Sequence, residues 1–287
     1  MKYLKTYNQL NEGLRDKMIG KSMEDIKKSL DKLEHVDKIR HILRYNLDHS
    51  LLPRDEDGWC VFPIDFPPTY FNNNIPEKFK IIGGFYSSSN EELEKLPDEL
   101  WVEDDFILTG SKVSKIPSNF YVGGTIDLNG NKITELPDGF TTNGNLIINY
   151  NNLTQLPKNL KVNGILRCKK NNINELPEGL VVQGSANFNM NMIKYIPTDI
   201  EIGGNIDIIN NRLTRLPDDF IVEGSLNVMN NKLTKLPKGL VVKGDLVIIN
   251  NPISELPHDL IVEGDLYIYG TKITKDVKKP KGIKYIR

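Results

Sequence analysis

Apolar residues recur along this chain at a fixed interval of twenty. In the stretch that starts at Leu236, LPKGLVVKGDLVIINNPISE, apolar side chains fall at Leu236, Leu240, Val242, Leu246, Ile248 and Ile253. One hundred residues earlier the same six places read Leu136, Phe140, Thr142, Leu146, Ile148 and Leu153, with Thr142 as the single polar lapse. Positions 240, 242, 246 and 248 share parity, the period-2 signature of extended chain with one face turned inward. The pattern predicts a main strand over 245–249 and a second short strand over 240–243. Gly244 shares the inward parity, so it predicts a bend or a close backbone approach.

Three further registers keep the same interval. Proline stands at 97, 117, 137, 157, 177, 197, 217, 237 and 257, preceded by Pro76 at a spacing of twenty-one. Glycine recurs from 124 to 264 and asparagine from 131 to 251, each in steps of twenty. A fixed period of this length means stacked coils. One coil cannot bury its own apolar side chains, but coils stacked as parallel strands about 4.8 Å apart can. A well-buried Leu or Ile contributes roughly 1.5–3 kcal/mol. Several per coil are needed against a backbone ordering cost of about 1–2 kcal/mol per residue. The asparagines are expected to bond backbone groups left unpaired at the turn and to bond one another as a ladder. Proline fixes φ where the chain turns back. Cys168 occupies the register of Ile148 and Ile248, which makes it a small core residue.

The segment LNVMNNKLTKLP at 226–237 resembles the leucine-rich repeat, with Leu226, Val228, Asn231 and Leu233 in the last four places of L-x-x-L-x-L-x-x-N-x-L. The Leu-Pro step and the twenty-residue length look like the short bacterial repeats of some secreted effectors. One place departs from the family pattern: its first Leu would fall at Glu223, and the apolar residue is Val222. The expected fold is a leucine-rich-repeat-like parallel β solenoid of about ten twenty-residue coils over 75–275, with a small N-terminal helical region. The resemblance specifies a fold and says little about function.

Outward positions on the main strand form two columns that need not obey the pattern. The first runs Asp127, Ile147, Arg167, Asn187, Asp207, Asn227, Val247, Tyr267; the second runs Asn129, Asn149, Lys169, Asn189, Ile209, Met229, Ile249, Tyr269. Ile209, Met229, Val247, Ile249, Tyr267 and Tyr269 gather at the C-terminal end. They are the candidate partner-binding residues, since apolar and aromatic patches rimmed by polar residues mark protein contacts.

Before the repeats, Met23, Ile26, Leu30 and Leu33 make one helical stripe over 22–34, and Val36, Ile39, Leu43 and Leu47 a second over 36–47. Residues 13–50 are therefore expected to hold two short helices. The stretch 51–74 carries Trp59, Phe62, Phe66, Tyr70 and Phe71 among several prolines and predicts an irregular aromatic cap; 276–287 is a basic C-terminal cap. Solenoids need such caps because end coils otherwise expose their core. The first eighteen residues resemble leaders of proteins from large tailed phages, which are cut after L-x-E before a small residue. Leu10, Asn11, Glu12 and Gly13 match that pattern, so the resemblance implies a leader over 1–12; the pattern recurs at Leu176 to Gly179, Ile221 to Gly224 and Ile261 to Gly264 inside expected coils, and an ordinary amphipathic N-terminal helix is the alternative.

Composition narrows the function classes. Lys plus Arg total 37 against 38 for Asp plus Glu, a net charge of −1. Such a chain has no global attraction for nucleic acid or acidic membranes. Cys60 and Cys168 are the only cysteines, so no disulfide framework is written and a reducing compartment is expected, the cytoplasm of a host cell or a virion. No segment approaches the ~20 apolar residues that cross a bilayer. His35, His41, His49 and His258 lack metal-ligand spacing, and Gly20-Lys21-Ser22 lacks the upstream Gly of a phosphate loop, with Arg15 in its place. The expectation is a non-enzymatic module with no cofactor that holds a protein partner on its strand face. Two alternatives are a structural virion or head-cargo protein, and an effector whose repeats select a substrate for an enzymatic activity. The resemblance to effectors implies a separate ligase domain with a catalytic Cys for the latter, and Cys60 sits in a short aromatic segment with little room around it.

Overall fold

A computed structural model describes residues 34–44, 49–62, 75–274 and 284–287. The first predicted helix and the leader lie outside these residues. The chain winds as a parallel β solenoid in which each coil contributes one strand to a continuous ten-stranded face sheet, from Phe85–Ser88 to Leu266–Tyr267. A second strand per coil forms the back, in sheets of four, four and three strands. Both strands expected from the pattern are present, shortened to Val241–Val242 and Leu246–Val247 in the coil of Leu236. The face ladder runs beyond these two residues: Val228, Asn230, Ile248 and Asn250 each donate their backbone N–H to the next coil.

The sequence interval sets the register. Leu166 pairs with Leu146 on one side and Ala186 on the other, so equivalent residues stack directly. The first full coils are one residue longer: Phe79 pairs with Leu100 and Phe85 with Phe106, matching the wider step between Pro76 and Pro97.

Inward positions form one continuous core. Leu240, Val242, Leu246, Ile248 and Ile253 are fully buried, and Cys168 fills its aliphatic place among them. Thr142, the polar lapse, is also buried and donates its hydroxyl to the Gly144 carbonyl at 2.9 Å, which removes the cost of an unpaired hydroxyl. Phenylalanine fills the N-terminal coils: Phe85 stacks on Phe106, and Phe120 meets Phe106 edge-on. Gly244 marks a close approach. A Cβ there would stand 2.7 Å from the Ser225 backbone nitrogen and 2.9 Å from the Gly224 carbonyl carbon.

The conserved interval of asparagine has a single structural cause. Asn231 is buried, donates Nδ2 to the carbonyls of Ile208 and Val228 at 2.7 and 2.9 Å, and accepts from the Leu213 N–H at 2.9 Å. One side chain thus closes its own turn and bonds the preceding coil twice. The buried asparagines bond backbone rather than one another. A side-chain ladder does form, one residue earlier, where Asn250 donates to Asn230 and Asn230 to Asn210, both at 2.8 Å. The amides at 231 and its equivalents are already saturated by backbone, so only the exposed neighbours are available to pair.

At the N-terminal end, α1 (His35–Arg44) buries Ile39, Ile42 and Leu43, and His35 Nε2 lies 3.0 Å from the Val61 carbonyl. Leu47, expected on the same stripe, lies outside the described residues. Cys60–Phe62 is a strand, pairing in parallel with Lys78–Ile81, so this part of the aromatic stretch continues the back sheet rather than capping it irregularly. At the other end Leu266 bridges to Ile286, and Arg287 N–H donates to the Leu266 carbonyl at 2.8 Å.

The asparagine geometry predicts a stability hierarchy. Asn191→Ala removes two donors from the Cys168 and Phe188 carbonyls and leaves the Ile173 N–H unpaired in the core. We expect a loss of about 2–4 kcal/mol in urea unfolding. Asn230→Gly, on the exposed ladder at a left-handed φ of 58°, should cost less than about 1 kcal/mol. Equal losses would refute the buried clamp.

Candidate functional site

The face sheet exposes its outward columns along its length, and the six candidate residues stand on it in two stacked rows. Asp207, Asn227, Val247 and Tyr267 pair in sequence along one row. Ile209, Met229, Ile249 and Tyr269 make the next row, tied by N–H donors from Asn210, Asn230 and Asn250 to the carbonyls of Met229, Ile249 and Tyr269. At a strand spacing of about 4.8 Å the side chains lie against one another, which leaves all but one half-buried. The exception is Tyr269, 78% exposed. The structure therefore brings the six together as a contiguous apolar strip.

The C-terminal residues extend this strip. Arg287 stands in register with Tyr267 and lays its guanidinium 5.8 Å from that ring and 5.7 Å from the Tyr285 ring. Its Nε also bonds Asp265 Oδ2 at 2.9 Å. This cation closes the end of the strip, and Tyr285 adds an exposed aromatic ring beside it.

A feature absent from the sequence reading lies one residue past the second column. Residues 130, 150, 170, 190, 210, 230, 250 and 270 all have positive φ. Glycine or asparagine fills this place in five coils, whereas Tyr150, Lys170 and Met190 occupy it at φ of 55°, 59° and 58°. Such residues rarely adopt this conformation without a cause. Tyr150 and Met190 are 48% and 43% exposed, and Lys170 Nζ lies 5.1 Å from the Tyr150 ring centre. The signal was available as a column reading Gly, Tyr, Lys, Met, Asn, Asn, Asn, Gly, but its meaning required the backbone angle.

The Leu-Pro steps, outside the face strands, carry an open groove of about 880 Å³ lined by Pro157, Pro177, Pro197, Glu175, Tyr195 and Arg215 among others. Tyr195 donates its hydroxyl to Glu175 at 2.8 Å, and that carboxylate, by its hydrogen bond and its charge, pushes the phenol above its ordinary range. No histidine or cysteine lines this groove. Cys60 is pushed up to about 12 and Cys168 is raised as well, both by burial, so neither thiol ionises readily. Among the described residues there is no group of three His, Cys, Asp or Glu side chains placed to hold a metal, and no helix long and apolar enough to cross a membrane.

No family model matches the chain, and no curated protein sequence matches it. Among solved structures, it is similar to YopM from Yersinia enterocolitica WA-314, at 17% identity over 72% of this chain and a TM-score of 0.30. This chain spans 59% of the length of that protein. It is also similar to YopM from Yersinia pestis, described as a leucine-rich effector protein, at 16% identity over 93% of this chain and 99% of that one, with a TM-score of 0.36. The strand pairing of the chain itself defines its class, a leucine-rich-repeat-like parallel solenoid with coils of about twenty residues.

Asp207 provides a test of how dry the strand face is. Half-burial raises its carboxyl above the ordinary value of 3.8. The ionised form is therefore disfavoured in the fold. Its penalty is full above the raised value and absent once pH falls below the ordinary one. Asp207→Asn should raise the thermal midpoint at neutral pH, and the gain should vanish as pH drops below about 3.8. A gain that persists in acid would mean that charge is not the cause.

Proposed function

We propose that this chain is a non-enzymatic protein-binding module whose strand face holds the partner. One observation carries the reading: Ile209, Met229, Val247, Ile249, Tyr267 and Tyr269 form an unbroken apolar strip on a face that the core does not constrain, ending in the exposed Tyr269 ring. Leu, Ile and Val at inward places hold the coils together whatever the outward columns carry, so those columns are free to be shaped by a ligand. Aromatic residues and Met are favoured at interface centres, where each ring covers a large area with little rotamer entropy to lose. Asn and Asp fill the same columns in other coils, so strand formation does not require the apolar choice.

The Leu10-Asn11-Glu12-Gly13 pattern supports a phage setting in which the protein is packaged into the forming head or acts in the host cytoplasm. Co-expression with a phage head-maturation protease should shorten the chain by residues 1–12, read by intact mass; an unshortened chain would remove this support.

The strand-face reading is tested directly by Tyr267→Ala combined with Tyr269→Ala. The pair should weaken partner capture about tenfold or more, as truncation of interface hot spots does, while the melt changes little. A photocrosslinker at position 269 should trap a single protein species, and one at position 195, in the Leu-Pro groove, should not. A collapsed melt would make the tyrosines structural, and crosslinks to capsid protein alone would favour a purely structural role in the virion.

A further inference from the structure

The middle of the strand face is built differently from its C-terminal end. Arg167, Lys169 and Lys170 follow one another on a single coil. Arg167 is the only exposed member of the first outward column, whose other members are half-buried. Among the described residues none of the three cations has an ion-pair partner, unlike Lys78, Lys80, Lys115 and Lys243, each of which meets a glutamate. In the row of Arg167 the flanking residues are Ile147 and Asn187, and the nearest carboxylates, Asp127 and Asp207, stand two coils away. Two strand spacings are about 9–10 Å, too far for a direct bond.

The neighbouring amides add to this asymmetry. Asn149 Oδ1 accepts the Lys169 backbone N–H at 2.8 Å. Asn187 Oδ1 accepts from the Asn189 N–H at 3.1 Å, and Asn189 Oδ1 from the Ile209 N–H at 2.6 Å. A backbone N–H can only donate, so it fixes the orientation of each amide: the oxygen is spent on the backbone and the NH2 remains. These three NH2 groups have no protein acceptor among the described residues. Three cations and three amide donors thus share one patch, and the carboxylate at its border, Asp207 beside Asn187, bonds none of them among the described residues. The unusual left-handed side chains Tyr150, Lys170 and Met190 border the same patch.

We propose that this patch docks an acidic segment of the protein partner, its carboxylates meeting Arg167, Lys169, Lys170 and the amides of Asn149, Asn187 and Asn189. The inference rests on the reading of the strand face as a protein-binding surface and specifies what it binds. A patch in which donors outnumber acceptors favours a ligand of acceptors. The ligand is a polypeptide rather than a nucleic acid because the face continues from Asn189 directly into Ile209, Met229 and Ile249, which offer nothing to a phosphodiester chain. From the coil of Arg167 to those of Ile209 and Val247 is two and four strand steps, about 10 and 19 Å, or roughly three and six residues of extended chain. The bound segment therefore carries its acidic residues about three to six positions from its apolar ones.

The test uses a fluorescent decaglutamate peptide and its decaglutamine counterpart at low ionic strength. The variant is Arg167→Asn, Lys169→Asn and Lys170→Asn together. Other coils already carry asparagine at each of these places, so the coil should still form. The control removes the same charge elsewhere, with Lys132→Asn, Arg212→Asn and Lys232→Asn, in a column where Asn152 and Asn172 already stand. We expect decaglutamate but not decaglutamine to bind. The patch variant should lose roughly tenfold or more in affinity, and the control less than about threefold. Equal losses in the two variants, equal binding of the two peptides, or a DNA oligonucleotide or anionic vesicles displacing decaglutamate would overturn the proposal. Tyr267→Ala with Tyr269→Ala should leave decaglutamate binding unchanged. A failure of the acidic site is thereby separated from a failure of the apolar strip.

Discussion

Seven successive coils of this protein are each tied to the one before by an asparagine that has left the surface. The amide of Asn131, Asn151, Asn171, Asn191, Asn211, Asn231 or Asn251 is buried and spends both its oxygen and its nitrogen on backbone groups, some in its own turn and some in the previous coil. Burial makes such a group costly when unpaired and valuable when paired. The side chain serves as a staple between coils, and apolar stacking alone would not fix the turn so well. Because the staple binds the carbonyl that follows the face strand in its own coil and the equivalent carbonyl in the previous coil, it also sets the register in which the outward columns align.

That alignment turns a list of exposed residues into surfaces. With equivalent residues stacked at twenty-residue intervals, any property shared by neighbouring coils becomes a stripe: apolar toward the C-terminal end, cationic and amide-rich in the middle. The two stripes are held by the same backbone and differ only in residues that contribute little to the core. Change on the face is therefore nearly independent of stability, whereas change at Leu246, Gly244 or Asn251 is not.

Much of the architecture was legible from the interval alone. The period gave the coils, parity gave both strands, and Gly244 announced the close approach that the structure places against Gly224 and Ser225. The asparagines were legible as structural but not in their partners, because an amide can serve backbone or a second amide, and only the path of the turn decides. The apolar strip was readable from its two columns; its half-burial was not, since side chains on adjacent strands cover one another. Tyr150, Lys170 and Met190 were invisible as a group, because nothing in a residue's identity declares a left-handed φ. The cationic patch shared that difficulty: Arg167 and Lys169 were visible in the columns, but the orientation of Asn149, Asn187 and Asn189 depends on which N–H each amide meets.

The pairing of Ile286 and Arg287 with the strand of Leu266 has a wider meaning. A stack of parallel coils grows by the same bonds that hold it, so its last winding is a template for any strand that drifts by, including one from a sister molecule. Here residues 284–287 lie along the strand of Leu266 and use its backbone groups, so a sister strand would have to displace them, and the cations Lys284 and Arg287 with them, before it could pair there.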